Sequence, residues 1–400
     1  MSQVLDDVRI VDLSRWIPGD YCTKLFADFG ADVIKVEKPS EGDWTRHYGP
    51  FPGDRPDPEK SALFLHLNTN KRSITLNLKS KDGKQILWQL ILRADVLVES
   101  FRPTTMESLG FPWEELHARN PRLVYTRISN FGQDGPYRDD QASGLTLQAM
   151  GGPMQSTGLA DREPLQKPGN LSLYSIGNMA AEATMAALLV SKGQGEGQQI
   201  DVSGLEALLS SVDRRMTFLM AASYTGEDAP RGEGAISLFP TGAFPCADGY
   251  VMFFVAPAFF KGLLELLGDP QLLAYFEDLE AIYRPEESRA RLDEVLYPWL
   301  MSHTKAEIME LAESHQVPIT AVYTIEEMRN STHFRERGFM EPIDHPVAGT
   351  LEYPGAPWRM RHGWALRRPA PRLGEQTEEI LTELGYHPDA LPLLRANGVI

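Results

Sequence analysis

The sequence predicts an α/β fold with a large parallel-stranded domain and a second, smaller α+β domain. Three observations carry this. Residues 8–37 read as strand, helix, strand, and that alternation recurs as far as residue 129. Such βαβ units imply parallel pairing with helices on the faces. The composition then shifts between about 222 and 245, where Gly226, Pro230, Gly232, Gly234, Pro240 and Gly242 crowd together. Beyond about 330 the chain is expected to return to the first domain. The expected division is a large domain over 1–221, a small domain with its linkers over 222–330, and the returning segment 331–400.

Val8 to Leu13 alternates apolar and polar residues and reads as the first strand, broken by Pro18-Gly19. Apolar residues at helical spacing from Tyr21 to Phe29 follow, stopped by Gly30. Residues 32–37 are a second strand, 73–78 a third, 95–100 a fourth and 123–129 a fifth. Helices are expected over 81–92 and 112–118. A buried-looking helix (Leu145, Leu147, Ala149, Met150) ends at Gly151-Gly152. Then comes a long helix rich in small residues, Gly177, Ala180, Ala181, Ala183, Ala186 and Ala187, which permit close backbone approach. Residues 202–220 read as another long helix. In the small domain, Asp248-Gly249 reads as a hairpin turn before a strand over 250–255. Helices over 259–267, 286–301 and 305–315 and a strand over 319–323 follow.

Composition narrows the chemistry. The formal charge of −16 disfavours nucleic acid and anionic membranes as partners. Two cysteines far apart, Cys22 and Cys246, fit a reducing cytoplasm and no zinc site. No apolar run approaches 18 residues and the N-terminus has no signal-peptide pattern, so a cytoplasmic protein is expected. There is no GxGxxG, Walker loop, GxSxG or HExxH. No histidine falls between His117 and His303, which argues against a triad in the centre of the chain. Gly193 to Gln198 follows a helix and precedes a strand, so it reads as a cap and turn rather than a phosphate cradle. Gly232-Glu233-Gly234 reads as a lid or a linker. Basic residues placed after strands, Lys38, Lys79 and Arg102, read either as solvated charges or as phosphate contacts.

The segments VRIVDLSRWIPGDYCTKLFADFGADVIKVEKPSEGDWTR, NTNKRSITLNLKSKDGK, ADVLVESFRPTTMESLGF and NPRLVYTRISNFGQDGPYRD, together with LQAMGG, GEGQQIDVS and LRANGVI, resemble the class III CoA-transferases. The resemblance spans nearly the whole chain. It implies a large Rossmann-like domain built from both chain ends and two chains interlocked like links. It implies acyl-CoA and a carboxylic acid as substrates, with no metal. It carries CoA contacts onto Ile17, Pro18, Lys38, Leu76, Lys79, Ser100 and Phe101, with Arg102 beside them. A family lysine falls on Gln141 and is lost.

Family members use one aspartate, four residues before a helix glycine, to attack the thioester. Here that position, counted back from Gly177, is Leu173. Asn170 is the nearest polar residue upstream, and Asp161 and Glu163 lie ten or more residues away. The racemase branch needs the same aspartate and a histidine where Ala142 stands. Three readings follow. The chain is the Asp-lacking subunit of a heteromer, as in benzylsuccinate CoA-transferase, paired with an Asp-bearing homologue. Or it is an acyl-CoA isomerase, lyase or hydratase without an aspartyl intermediate. Or it binds acyl-CoA and does no chemistry. Beside these three stands an ordinary homodimeric transferase in which another carboxylate substitutes for the aspartate. Trp16, Tyr21, Trp44, Phe218 and Phe239 are candidates for the acyl pocket.

Overall fold

The computed structural model describes residues 3–159, 161–210, 214–227, 240–276, 285–361 and 363–400. Two compact units emerge, one from residues 1–158, 162–228 and 336–400 and the other from 159–161 and 229–335.

The first unit is built on six parallel strands, β1 (Arg9–Asp12), β2 (Asp32–Glu37), β3 (Arg72–Thr75), β4 (Val96–Glu99), β5 (Val124–Ser129) and β6 (Gln199–Ser203), in the order β3-β2-β1-β4-β5-β6. This is the parallel sheet the βαβ pattern implied. After β1 the chain builds outward through β2 and β3, then crosses back to lay β4 on the other side of β1. The direction of winding therefore reverses between β1 and β4.

Helices cover both faces. They are α1 (Ile17–Asp28), α2 (Ala62–Leu67), α3 (Lys81–Ile91), α4 (Thr105–Leu109), α5 (Trp113–Arg119), α6 (Gly144–Met150), α7 (Leu171–Gln194) and α8 (Gly204–Leu209), and α9 (Arg214–Thr225) follows with its described side chains mostly exposed. One core joins Ile10, Val33, Val96 and Val124 to α1 and α7 through Ile17, Phe26, Ile176 and Ala180. The other joins Val11, Ile34 and Leu97 to α3 and to the C-terminal tail. Helix α1 starts at Ile17, four residues earlier than the periodicity indicated, because Pro18 is tolerated in a first turn, where its missing N–H has no helical partner to lose. The continuous helix expected over 202–220 is instead the end of β6 followed by α8, with α9 beginning at Arg214; Ser203 leaves the strand and caps α8 through its hydroxyl, which accepts from the Glu206 N–H.

Helix α7 is long and apolar enough to cross a membrane by length and composition. Within this unit it lies against α1, with Leu173, Ile176, Ala180, Ala181, Ala187 and Leu188 buried. Small residues set that approach. A Cβ at Gly177 would stand 2.5 Å from the Pro18 carbonyl oxygen and 3.2 Å from the Tyr21 Cβ. Gly177→Val should force α1 and α7 apart and cost about 1–3 kcal/mol, read as a lowered thermal midpoint. The helix ends at Gly195 in the left-handed conformation (φ 78°), the cap expected of the Gly-rich stretch.

The second unit holds β7 (Thr241–Cys246), β8 (Gly249–Phe254) and β9 (Ile319–Ala321), antiparallel in that order. Helices α10 (Pro257–Leu267), α11 (Pro270–Tyr275), α12 (Pro285–Met301) and α13 (Lys305–Ser314) bury Leu263, Leu292, Leu296 and Ile308 with Val251 and Phe253. It also carries α14 (Ile325–Asn330) and α15 (Thr332–Glu336), the last residue of which already belongs to the first unit.

The tail then adds the hairpin β10 (Met340–His345) and β11 (Gly349–Pro354), α16 (Thr377–Glu383) and α17 (Ala390–Ala396) to the first unit. Glu379 and Glu383 of α16 reach Arg72 of β3 at 2.9 and 2.6 Å, and Leu391 and Leu394 of α17 enter the second of the two cores.

Candidate active site

Ligands of open parallel sheets sit beyond the carboxyl ends of the strands, where the winding reverses. A cleft of about 630 Å³ lies at that place in the first unit. Arg15, Trp16 and Pro18 enter it from the turn after β1, and Ser100 to Pro103 from the turn after β4. Ser129 and Asn130 come from the end of β5, and Gly204 from the residue after β6. The loop 140–145 and the start of α7 complete the wall with Asn170, Ser172, Leu173 and Ile176.

Two features fix the β1 side of this cleft. Ser100 Oγ accepts from the Arg15 backbone N–H at 2.8 Å and donates to the Arg15 carbonyl at 2.9 Å. One hydroxyl thus ties the β1 and β4 turns together across the reversal point. Immediately after it, Trp16 holds φ 75° and ψ 173°, a region that costs a non-glycine residue about 1–3 kcal/mol. The Trp16 ring packs edge-on against Tyr48, with centroids 5.0 Å apart. The Trp16 backbone N–H points to Asp43 Oδ1 at 3.5 Å.

Beneath this turn is a fully buried charge cluster. Lys35 Nζ lies 2.9 Å from Asp43 Oδ2, pairs closely with Asp20, and stands 3.9 Å from Asp12. Lys71 Nζ donates to Asp12 at 3.0 Å and to Thr23 Oγ1 at 2.7 Å. Burial alone would raise the Asp12 carboxyl, but Lys35 and Lys71 outweigh it and hold it at about 2. For Asp20, burial and the neighbouring Asp43 charge prevail over the lysines and push it up to about 7. Lys35 is driven the other way from its burial, well above the ordinary lysine range, by the carboxylates around it.

The residues singled out from the sequence separate into groups. Pro18, Ser100, Phe101, Arg102 and Leu173 are brought together in the cleft, with Trp16, Trp44, Gln141, Ala142 and Asn170. Ile17 and Leu76 have buried side chains, one in each core, and neither lines the cleft. Lys38 is exposed and pairs with Glu41; Lys79 is exposed, and neither lines the cleft. Tyr21 packs edge-on against Tyr174 at 4.8 Å instead of facing the cleft. The Phe218 side chain, Phe239 and Gly232 to Gly234 lie outside the described residues.

Leu173 is 7% exposed. Its side chain packs on the first residue of α6, since a Cβ at Gly144 would meet Leu173 Cγ at 3.3 Å. The wall of the cleft mixes apolar and polar side chains and is poor in acid. Among the described residues the carboxylate that lines it is Asp140, on an exposed loop. Asp140 and Arg15 carried no sequence signal, because each stands alone in a turn with no periodicity or motif around it.

The sequence model of CoA-transferase family III matches residues 5–377. The chain is 32% identical to the succinyl-CoA–D-citramalate CoA-transferase of Chloroflexus aurantiacus, over 99% of this chain and 98% of that protein. It is 31% identical to succinyl-CoA:(R)-benzylsuccinate CoA-transferase subunit BbsE of Thauera aromatica, over 96% of this chain and 95% of that one. Among solved structures, a CaiB/BaiF family protein from Brucella suis superposes with a TM-score of 0.83 at 28% identity, covering 96% of this chain and 100% of that one.

Proposed function

Because the chain belongs to CoA-transferase family III, we propose that it is the Asp-lacking subunit of a heteromeric CoA-transferase. It would move CoA from an acyl-CoA such as succinyl-CoA to a carboxylic acid. Its partner would be a homologous chain with aspartate at the position of Leu173. The observation that carries this reading is Leu173 itself, a leucine packed into the wall of a formed cleft at the position where the family's nucleophile is expected.

The chemistry explains why leucine there is decisive. A carboxylate attacks the thioester carbonyl, expelling CoA thiolate and leaving a mixed anhydride. The thiolate then attacks the enzyme-side carbonyl of the anhydride, which releases the first acid and forms an enzyme-bound CoA thioester. The second acid reverses both steps. The enzyme carboxylate is the nucleophile of the first step and the leaving group of the last, and a leucine side chain can be neither. What this chain retains is the means to hold CoA. Pro18, Phe101 and Arg102 face the cleft, whereas the CoA contacts expected at Ile17, Leu76, Lys38 and Lys79 lie outside its lining. Ser100, whose hydroxyl is engaged by Arg15, would act by shaping the turn.

The benzylsuccinate enzyme's subunit name favours the heteromer, since that relative, matched over 95% of its length, is one subunit of a transferase. The presence of Asp140 in the cleft favours the alternative that another carboxylate serves in a self-sufficient chain. Affinity purification of the tagged chain from its native host should bring down an Asp-bearing homologue in near-equal amount. The purified chain alone should bind CoA and transfer none from succinyl-CoA. Brisk transfer by the chain alone, abolished by Asp140→Asn, would establish the alternative instead.

A further inference from the structure

We propose that Arg15 is a specificity-determining residue that pairs with a second, distal carboxylate on the acyl group, so that the cleft selects thioesters of dicarboxylic acids. This rests on the cleft being an acyl-CoA site.

The argument begins with charge pairing. Other buried or half-buried arginines of this unit are held by carboxylates. Arg9 meets Asp32 at 2.9 Å, Arg46 meets Glu37 at 2.7 Å, Arg72 meets Asp32 at 2.7 Å and Arg127 meets Glu99 at 3.0 Å. Arg138, which also lines the cleft, is engaged by Asp139 at 3.2 Å. Arg15 is half-buried and lines the cleft, yet among the described residues its guanidinium has no carboxylate within 4 Å and no hydrogen-bond acceptor. The acidic group that feels it at longer range, Glu41, is already paired with Lys38.

The guanidinium is nonetheless placed. It lies over the Phe101 ring, 5.6 Å from the centroid. Its backbone is gripped from both sides by Ser100. A planar donor fork held over an aromatic ring in a cleft suits two oxygens of one anion.

Position selects which anion. Arg15 directly precedes Trp16 and the start of α1. The Pro18 carbonyl touches Gly177 of α7, and Leu173 stands one helical turn before Gly177 on the wall of the same cleft. Arg15 therefore lies near the place where the thioester must be presented. The pantetheine arm separates the thioester from the CoA phosphates. Arg102, more exposed, is the guanidinium left for those phosphates.

The test is titration calorimetry of the full chain and of Arg15→Met with succinyl-CoA, butyryl-CoA, CoA and dephospho-CoA. Methionine keeps an apolar stem against Phe101. The parent chain should bind succinyl-CoA about 10- to 100-fold more tightly than butyryl-CoA. Arg15→Met should erase that preference and leave CoA binding within about twofold. Equal binding of the two thioesters by the parent chain overturns the proposal while the CoA reading stands. So does a loss in Arg15→Met that is shared by CoA and absent with dephospho-CoA, which would give Arg15 to the 3′-phosphate. No binding of any of the four ligands overturns both readings.

Discussion

Leu173→Asp should convert an inert chain into one that captures CoA covalently. Incubated with succinyl-CoA and hydroxylamine, the variant should yield an aspartyl hydroxamate at residue 173, and the parent chain none. The gain is from no reaction to a detectable single turnover. The surroundings set its cost and its pH profile. Leu173 is buried against Gly144 and Ile176 belongs to the same core. A carboxylate placed there loses apolar packing and is partly desolvated, which should lower stability by about 2–4 kcal/mol. Burial also raises a carboxyl pKa, and only the ionised form attacks, so hydroxamate yield should climb as pH rises through neutrality. A folded variant that binds CoA yet gives no hydroxamate at any pH would mean that the cleft has lost more than its nucleophile. The proposal of a dormant transferase site would then fail.

The sheet was legible because its strands are buried apolar runs punctuated by Gly and Pro, and the βαβ spacing dictates parallel pairing. The start of α1 was misplaced by its Pro-Gly, which is compatible with a first turn as well as with a break. The 202–220 segment was misjudged because helical spacing persists across Ser203, and only the pairing of β6 with β5 shows where the strand stops. Leu173, reached by counting back from Gly177, lines the cleft. The three-dimensional setting of the site was less legible. The grip of Ser100 on Arg15 and the strained Trp16 come from bringing together turns 85 residues apart in the chain, and no local pattern encodes them. The same holds for the buried charges, since Asp12, Asp20, Lys35, Asp43 and Lys71 each look like ordinary surface residues in sequence.

That cluster yields a contrast between two substitutions. Three carboxylates (Asp12, Asp20, Asp43) face two ammoniums (Lys35, Lys71), all fully buried. One proton taken up by a carboxyl makes the group neutral, and Asp20, raised to about 7 by burial and then by Asp43, is where it resides. Lys35→Met removes the ammonium that lies within 4 Å of all three acids and leaves buried charge uncompensated, so it should cost about 3–5 kcal/mol. It should also leave Asp43 Oδ2 without its ammonium partner beside the Trp16 turn, and CoA affinity should fall with it. Asp20→Asn should behave oppositely. The amide oxygen can still accept from Lys35 and its NH2 can donate to Thr45 Oγ1, now 3.1 Å from Asp20 Oδ2, at the loss of the 3.3 Å contact from Asn68. The pH dependence follows from the direction of the shift. In the unfolded chain Asp20 releases its proton near 3.8, while the native state keeps it to about 7. Between those values the native state binds more protons, so the Asp20 contribution to stability declines as pH rises from about 4 to 7 and is flat above. Asp12, lowered to about 2, acts in the separate window below 3.8, where its contribution is lost as pH falls. Asp20→Asn should therefore flatten the fall in stability between pH 4 and 7 and be near neutral or stabilising at pH 7, measured as thermal midpoints across that range. A large loss at pH 7 would show instead that Asp20 is ionised in the native state and that Lys35 depends on its charge.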